Sequence, residues 1–371
     1  MTPLLDARDP LSDEFRTAIS AIVAEFLAGR RTALAPIAPL LADVLDVAAA
    51  LSSGGKRIRP AFVCWGRIAA AGVPDDPTAL LRAAASMELW HVGILVHDDV
   101  MDASDTRRGL PAAHRSFAGW HTEGQGYGSP QGYGQAGAIL LGTELVAWSG
   151  VLLRESGLDA AALARALPAV EAMRDEVLAG QWLDITAQAG LTGRLMQPQA
   201  PPQSRAIAER VVEYKTSRYT VQRPVQVGAL LGGAGPEVVA GLAEFGSRIG
   251  RGFQYRDDLL GVFGDETSTG KPTGGDLREG KRTALIAEAL TMADSAAAVR
   301  LQALLGDPDL DDEGIAAARQ IITESGAALA IEDAIATDYE QALKVLECLN
   351  ITSEGRLGLV NLSRASVERV S

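Results

Sequence analysis

Apolar residues recur at three- and four-residue spacing along most of the chain. The pattern is plain in "EFRTAISAIVAEFLAGRRTALAPIAPLLADVLDVAAAL", "PTALLRAAASMELWHVGILVHDDVMD", "AALARALPAVEAMRDEVLAGQWLDI" and "PEVVAGLAEFGSRIGRGFQYRDDLLGVFG". That period puts the apolar side chains on one face of an α-helix. Several of these segments are apolar almost all round, which implies burial inside a large bundle. No long alternating run suggests a sheet. Two segments break the pattern. "TEGQGYGSPQGYGQAG" (122–137) is rich in glycine, and "TGRLMQPQAPPQSR" (192–205) is rich in proline and glutamine. Both read as mobile loops. Neither reads as a domain linker, because charged motifs that must meet lie on both sides of each. The expectation is a single all-α domain over residues 1–371.

Composition narrows the function. Aromatics are only 5% of the residues while alanine and leucine are plentiful, which favours helix over sheet. A net charge of -13 argues against nucleic acid as the main partner and against attraction to anionic lipid by charge alone. Cys64 and Cys348 are the only cysteines, so neither a disulfide framework nor a zinc cluster is expected. The opening residues, MTPLLDARDP, carry acid where a signal peptide needs base. No segment reads as a membrane span. A soluble, cytoplasmic protein is the expectation.

The chemistry lies in two acidic turns. "ILVHDDVMDASDTRRG" (94–109) carries Asp98, Asp99 and Asp102 after an apolar helical run. On a helix Asp98 and Asp102 share a face, with Asp99 beside them, so without a counter-charge they repel. Alone, such a cluster is compatible with a solvated acidic patch or a helix cap. "FQYRDDLLGVFGD" supplies a second, with Asp257, Asp258 and, seven residues after Asp258, Asp265. Two acidic turns at the ends of buried helices suggest a shared site between facing helices. Mg²⁺ suits them, because it takes one or two carboxylates, keeps waters and fills its shell with phosphate oxygens. Cations frame both turns: Lys56, Arg57 and Arg59 in "GGKRIRP", Arg107 and Arg108, Lys215, Lys271 and Lys281. Guanidinium forks match phosphate oxygens in pairs.

From about residue 50 to 290 the chain resembles the trans-isoprenyl diphosphate synthases, or polyprenyl synthetases. The matching blocks, in order, are GGKRIRP, ELWHVGILVHDDVMDASDTRRG, AGQWLDI, EYKTSRYT, GRGFQYRDDLLGVFGD and TGKPTGGDLREGKRT. Short-chain geranylgeranyl diphosphate synthases are the most similar members. The resemblance implies a large orthogonal helical bundle around a deep central cavity, the isoprenoid synthase fold, as a homodimer. It implies condensation of isopentenyl diphosphate with dimethylallyl, geranyl or farnesyl diphosphate. Asp98, Asp99, Asp102, Asp257 and Asp258 would hold three Mg²⁺ ions, replaceable by Mn²⁺, on the allylic diphosphate. Arg107, Lys215, Lys271 and Lys281 would contact that diphosphate, with Thr216 and Gln254 beside it. Lys56, Arg59, His91 and Arg108 fit the isopentenyl diphosphate site.

Two positions depart from the family pattern. Its second motif reads DDxxD, whereas Gly261 stands here in the last place, and Asp265 could compensate through water. Thr143 occupies a position that is normally aspartate. Rival readings are a class I terpene cyclase, a partner subunit of a heteromeric synthase, and an acidic ion-binding protein without chemistry. GGKRIRP counts against the first, and the clustered cations count against the last.

Helical spacing also bears on product length. Trp90, Ile94, Asp98 and Asp102 form one drifting stripe. In the family an aromatic four or five residues before the first aspartate stops chain growth early. Ile94 and Gly93 are permissive there, so Trp90 becomes the expected floor. Geranylgeranyl diphosphate is the expected product; farnesyl and longer diphosphates, C25 and above, are the alternatives.

Overall fold

The structure, a computed structural model, describes residues 4–191, 193, 205–264, 274–307 and 309–368. α1 (Asp13–Leu34) opens where the Ser12 hydroxyl accepts the Phe15 amide hydrogen, with Asp13 and Glu14 in the first turn. Cap and acids satisfy an orphan donor and match the positive end of the helix dipole. After it come α2 (Leu40–Ser52), α3 (Ile58–Ala71) and α4 (Thr78–Met101). A two-residue hairpin follows, β1 (Thr106–Arg107) antiparallel to β2 (Leu110–Pro111), with Arg107 opposite Leu110. Then come α5 (Ala113–Glu123), α6 (Pro130–Arg154), α7 (Ala160–Gln188) and α8 (Arg205–Val211). A π-helix (Val212–Gln222) joins α8 to α9 (Arg223–Leu231) and α10 (Pro236–Phe263). The chain continues through α11 (Gly275–Arg278), α12 (Ala284–Met292), α13 (Ser295–Leu304), α14 (Asp312–Glu324), α15 (Ala327–Cys348) and α16 (Ser353–Val367).

The all-α expectation holds. α4 is the central element: fourteen of its residues are buried, from Leu80 to Asp99. It packs on α3 and α6, while α10 packs on the π-helix and α15. Two sequence expectations change. The glycine-rich segment is a loop only over 124–129, because residues 130–137 form the first turns of α6. Pro130 at the first helical turn and the Ser129 hydroxyl, accepting the Gly132 amide hydrogen, start that helix, and both devices outweigh local glycine content. Nearly all of the segment 192–205 lies outside the described residues. Second, α4 and α6 are each long and apolar enough to cross a membrane by length and composition. In α4, 72% of the apolar window is buried, as a core helix requires; in α6 the share is 44%.

Candidate active site

The two acidic turns face each other across a cavity of about 590 Å³. α4 lines it with His91, Ile94, Leu95 and Asp98, and Asp102, the residue that caps its C-terminus, continues that face one turn on. α7 adds Val177, Gln181 and Asp184; the π-helix adds Lys215, Thr216 and Tyr219; α10 adds Phe253, Gln254, Asp257 and Asp258. Lys56, Arg59, Arg107, Asp276 and Lys281 complete the wall, with Arg282 beside them. A π-helix widens the turn and is frequent at functional sites; here it carries four lining residues at once, Val212 with the three just named. Gly180 lets it come close. A Cβ on Gly180 would lie 2.2 Å from the Lys215 backbone nitrogen.

The cations and acids are interlocked. Lys215 Nζ sits 2.5 Å from Asp184 Oδ2 and 3.4 Å from Asp98 Oδ1. Gln181 donates to Asp98 Oδ1 at 3.0 Å. Burial opposes the charge on Asp98, but Lys215, Arg107 and Lys281 outweigh it and hold the carboxyl below its ordinary range. Its neighbour one turn on behaves oppositely: burial and the charge of Asp98 push Asp102 up to about 6. Across the cavity, Asp258 is 2% exposed. It accepts from Gln254 Nε2 at 2.7 Å and from the Ala284 amide at 3.2 Å. Burial, with Asp276 and Asp257 nearby, raises it to about 8. Lys281 bridges Asp276 at 3.2 Å and Glu279 at 2.6 Å; burial works against its charge, and these acids together with Asp102 hold it protonated.

A second group sits nearer the start of α3. His91 Nδ1 pairs with the Tyr219 hydroxyl at 2.8 Å, and the Arg59 guanidinium stacks 4.2 Å over the Tyr219 ring. Burial, then the charges of Arg59, Arg108, Arg107 and Arg57, lower the His91 imidazole well below its usual value, so it is neutral at pH 7. Arg59 Nη2 donates to Thr220 at 2.8 Å. Arg59 Nε and Arg282 Nη1 are buried without a partner, although a guanidinium seeks acceptors for all five of its hydrogens.

Several expected residues stand elsewhere. Asp99 is 1% exposed and does not line the cavity. One residue on from Asp98, it points about 100° away and pairs with Arg107. Arg108 turns from the cavity to donate to the carbonyls of Leu51 and Gly54, at 3.0 and 2.9 Å, and to Glu88. Gly93 faces α6: a Cβ there would lie 2.9 Å from the Gly142 carbonyl oxygen, so it serves helix packing rather than the cavity. Trp90 is buried outside the lining, under the Arg174 guanidinium at 4.8 Å. Thr143 bonds back to the Ile139 carbonyl at 2.8 Å. Lys271 and Asp265 lie outside the described residues. Sequence reasoning missed Gln181, Asp184, Tyr219, Asp276 and Arg282 as site residues. The motif AGQWLDI carried a signal for two of them, since Gln181 and Asp184 stand three apart on one helical face.

Among the described residues, no three His, Cys, Asp or Glu side chains converge closely enough to hold an ion unaided. The donors that flank the cavity are carboxylate oxygens, and the unpaired guanidinium N–H groups beside them suit an oxyanion. That combination fits Mg²⁺, which takes few protein ligands and completes its shell with phosphate oxygens and water. Asp98, Asp102 and Asp184 on one wall, and Asp257, Asp258 and Asp276 on the other, could hold it.

Comparison with known proteins gives the family and the fold. Residues 40–322 match the sequence profile of the family described as polyprenyl synthetase. A geranylgeranyl diphosphate synthase of Methanosarcina mazei is 31% identical over 311 residues, 83% of this chain and 84% of that protein. A short chain isoprenyl diphosphate synthase of Methanothermobacter thermautotrophicus is 31% identical over 86% of this chain and 88% of that one. Among solved structures, a Corynebacterium glutamicum geranylgeranyl pyrophosphate synthase, in complex with isoprenyl diphosphate and magnesium, superposes with a TM-score of 0.89 at 37% identity. That match covers 96% of this chain and 99% of the other. The chain belongs to the polyprenyl synthetase family.

Proposed function

We propose that this protein is a Mg²⁺-dependent trans-prenyltransferase that joins isopentenyl diphosphate head-to-tail to allylic diphosphates, with geranylgeranyl diphosphate as the main product. The observation that carries the reading is the cavity itself. Carboxylates approach from two facing walls, Lys215 and Lys281 lie among them, and unpaired guanidinium N–H groups await oxyanions.

Bound Mg²⁺ would supply positive charge to the departing diphosphate. Lys215, Arg107 and Lys281 add to that stabilisation as the allylic carbon–oxygen bond breaks. Lys56, Arg59 and His91 hold isopentenyl diphosphate so that its double bond attacks the allylic cation. A carbon–carbon bond forms, and the proton then lost from isopentenyl carbon passes to the released diphosphate. Ile94, Leu95, Val177 and Phe253 keep water from the cation. His91 is neutral, hydrogen-bonded to Tyr219 and ringed by arginines; it serves binding without adding charge.

Ile139 and Leu140, 50% and 67% exposed on α6, offer an apolar face for a second copy, which supports a homodimer. The test uses the purified protein alone with Mg²⁺, labelled isopentenyl diphosphate and each short allylic primer, followed by chromatography of the dephosphorylated products. A twenty-carbon main product is expected. No turnover without an added partner chain would instead favour the subunit of a heteromeric synthase.

A further inference from the structure

Gly261 lies one helical turn after Asp257 on α10, and both line the cavity. The helix therefore presents one carboxylate and, a turn later, a position with no side chain. That position is not open space. A Cβ built on Gly261 would lie 1.9 Å from Asp276 Oδ2 and 2.6 Å from its carboxyl carbon. Atoms cannot approach so closely, so any side chain at 261 displaces the Asp276 carboxylate. Asp276 belongs to α11, a different element, and is itself a lining residue. Lys281 Nζ at 3.2 Å from Oδ1 helps to fix its orientation.

We infer that Asp276 supplies, from α11, the carboxylate that α10 lacks at Gly261, its Oδ2 standing in the space that a side chain at 261 would take. The second acidic wall is then assembled from two elements. Asp257 and Asp258 come from α10, and the third oxygen ligand set crosses from α11 to the same turn. The inference rests on the Mg²⁺-dependent reading above, and it assigns Asp276 as a contributor to divalent-cation binding. Asp265 need not be that contributor.

The two positions are tested as a pair. Binding of Mn²⁺ in the presence of inorganic diphosphate is measured by electron paramagnetic resonance and calorimetry, independently of turnover. Wild-type binding that requires diphosphate supports the underlying reading, and its absence overturns that reading irrespective of Asp276. Asp276→Ala is expected to weaken Mn²⁺ binding about tenfold or more, the range typical of losing a supporting ligand. Gly261→Ala removes no acid, yet it is expected to weaken binding similarly, because its methyl displaces the Asp276 carboxylate. The decisive protein is the double variant Gly261→Asp with Asp276→Ala, which moves the carboxylate from α11 to α10 and should recover most of the affinity. Circular dichroism establishes that each variant is folded. Wild-type affinity in folded Asp276→Ala overturns the inference. So does a folded double variant that binds as weakly as Asp276→Ala alone.

Discussion

A buried guanidinium with an unpaired N–H is an incomplete contact. Arg59 has one: its Nη2 meets Thr220 and its plane lies over Tyr219, but Nε has no acceptor. Leaving such a donor unpaired costs free energy that a ligand oxygen would recover. Neighbouring residues hold it and Lys56 in place. Glu88, buried on α4, pairs with both Arg57 and Arg108. Arg57 in turn donates to the Ser52 carbonyl at 2.7 Å, and Arg108 donates to that of Gly54. One buried acid thus ties the glycine-rich turn before α3 to the turn that presents Arg107. Arg59→Ala should raise the KM for isopentenyl diphosphate by the worth of a charged hydrogen bond, about 2 to 3 kcal/mol, and leave the KM for the allylic substrate nearly unchanged. Steady-state kinetics with each substrate varied in turn checks this, and equal increases for both would move Arg59 out of the isopentenyl diphosphate site.

At the scale of elements, the site is a gap between helices. α4 packs closely on α6 and α3, whereas α7 packs on the π-helix and α9, and the cavity lies where α4 and α7 face one another. Descending from the acids, α4 offers Ile94 and then Trp90, each step about 6 Å. α7 offers Val177 and then Arg174, which stacks on Trp90. Trp90 directly precedes His91, the last lining residue on α4, and we propose that its indole, under Arg174, is the floor of the product pocket. Trp90→Ala should lengthen the main product by at least one isoprene unit; chromatography of dephosphorylated products reads this, and an unchanged distribution in a folded variant would remove Trp90 as the floor. Gly93→Phe would not serve as a complementary test, because it would force α4 from the Gly142 backbone. The helices and both acidic turns are legible in the sequence because helical periodicity is local and each motif is contiguous. Residue-by-residue facing is less so. Asp98 and Asp102 line the cavity while Asp99, between them in sequence, turns back to Arg107. Asp276 could not be placed at all from sequence, since its position is defined by a missing side chain fifteen residues earlier on another helix.

Taken whole, the molecule gathers negative charge at the site where its substrates would bring cations. Two acids there are raised: Asp102 to about 6 by burial and the charge of Asp98, and Asp258 to about 8 by burial with Asp276 and Asp257 nearby. A carboxyl raised in the folded state keeps its proton longer than in the unfolded chain, whose carboxyls titrate near about pH 4. Between those values the folded chain binds more protons, so stability contributed by these groups is present at low pH and falls as pH rises through 6 and toward 8. Asp98, held low chiefly by Lys215 and Arg107 against its own burial, contributes oppositely and loses its share only as acid is added. The ligand-free protein should therefore lose thermal stability from pH 5 to pH 8 through Asp258 above all. Asp258→Asn isolates this effect. The variant has a single accepting oxygen for the two donors, Gln254 Nε2 and the Ala284 amide, that Asp258 satisfies, so it forfeits one of those bonds at every pH and its melting temperature starts below wild type at pH 5. It cannot ionise, however, so the difference should shift in its favour by pH 8. Because a cation binds the deprotonated carboxylate, Mg²⁺ with inorganic diphosphate should restore the wild type most at the alkaline end and help the variant less. Thermal melts at pH 5, 6.5 and 8, with and without those ligands, read both effects. A difference between variant and wild type that stays constant across this range would show that Asp258 does not ionise there in the folded protein.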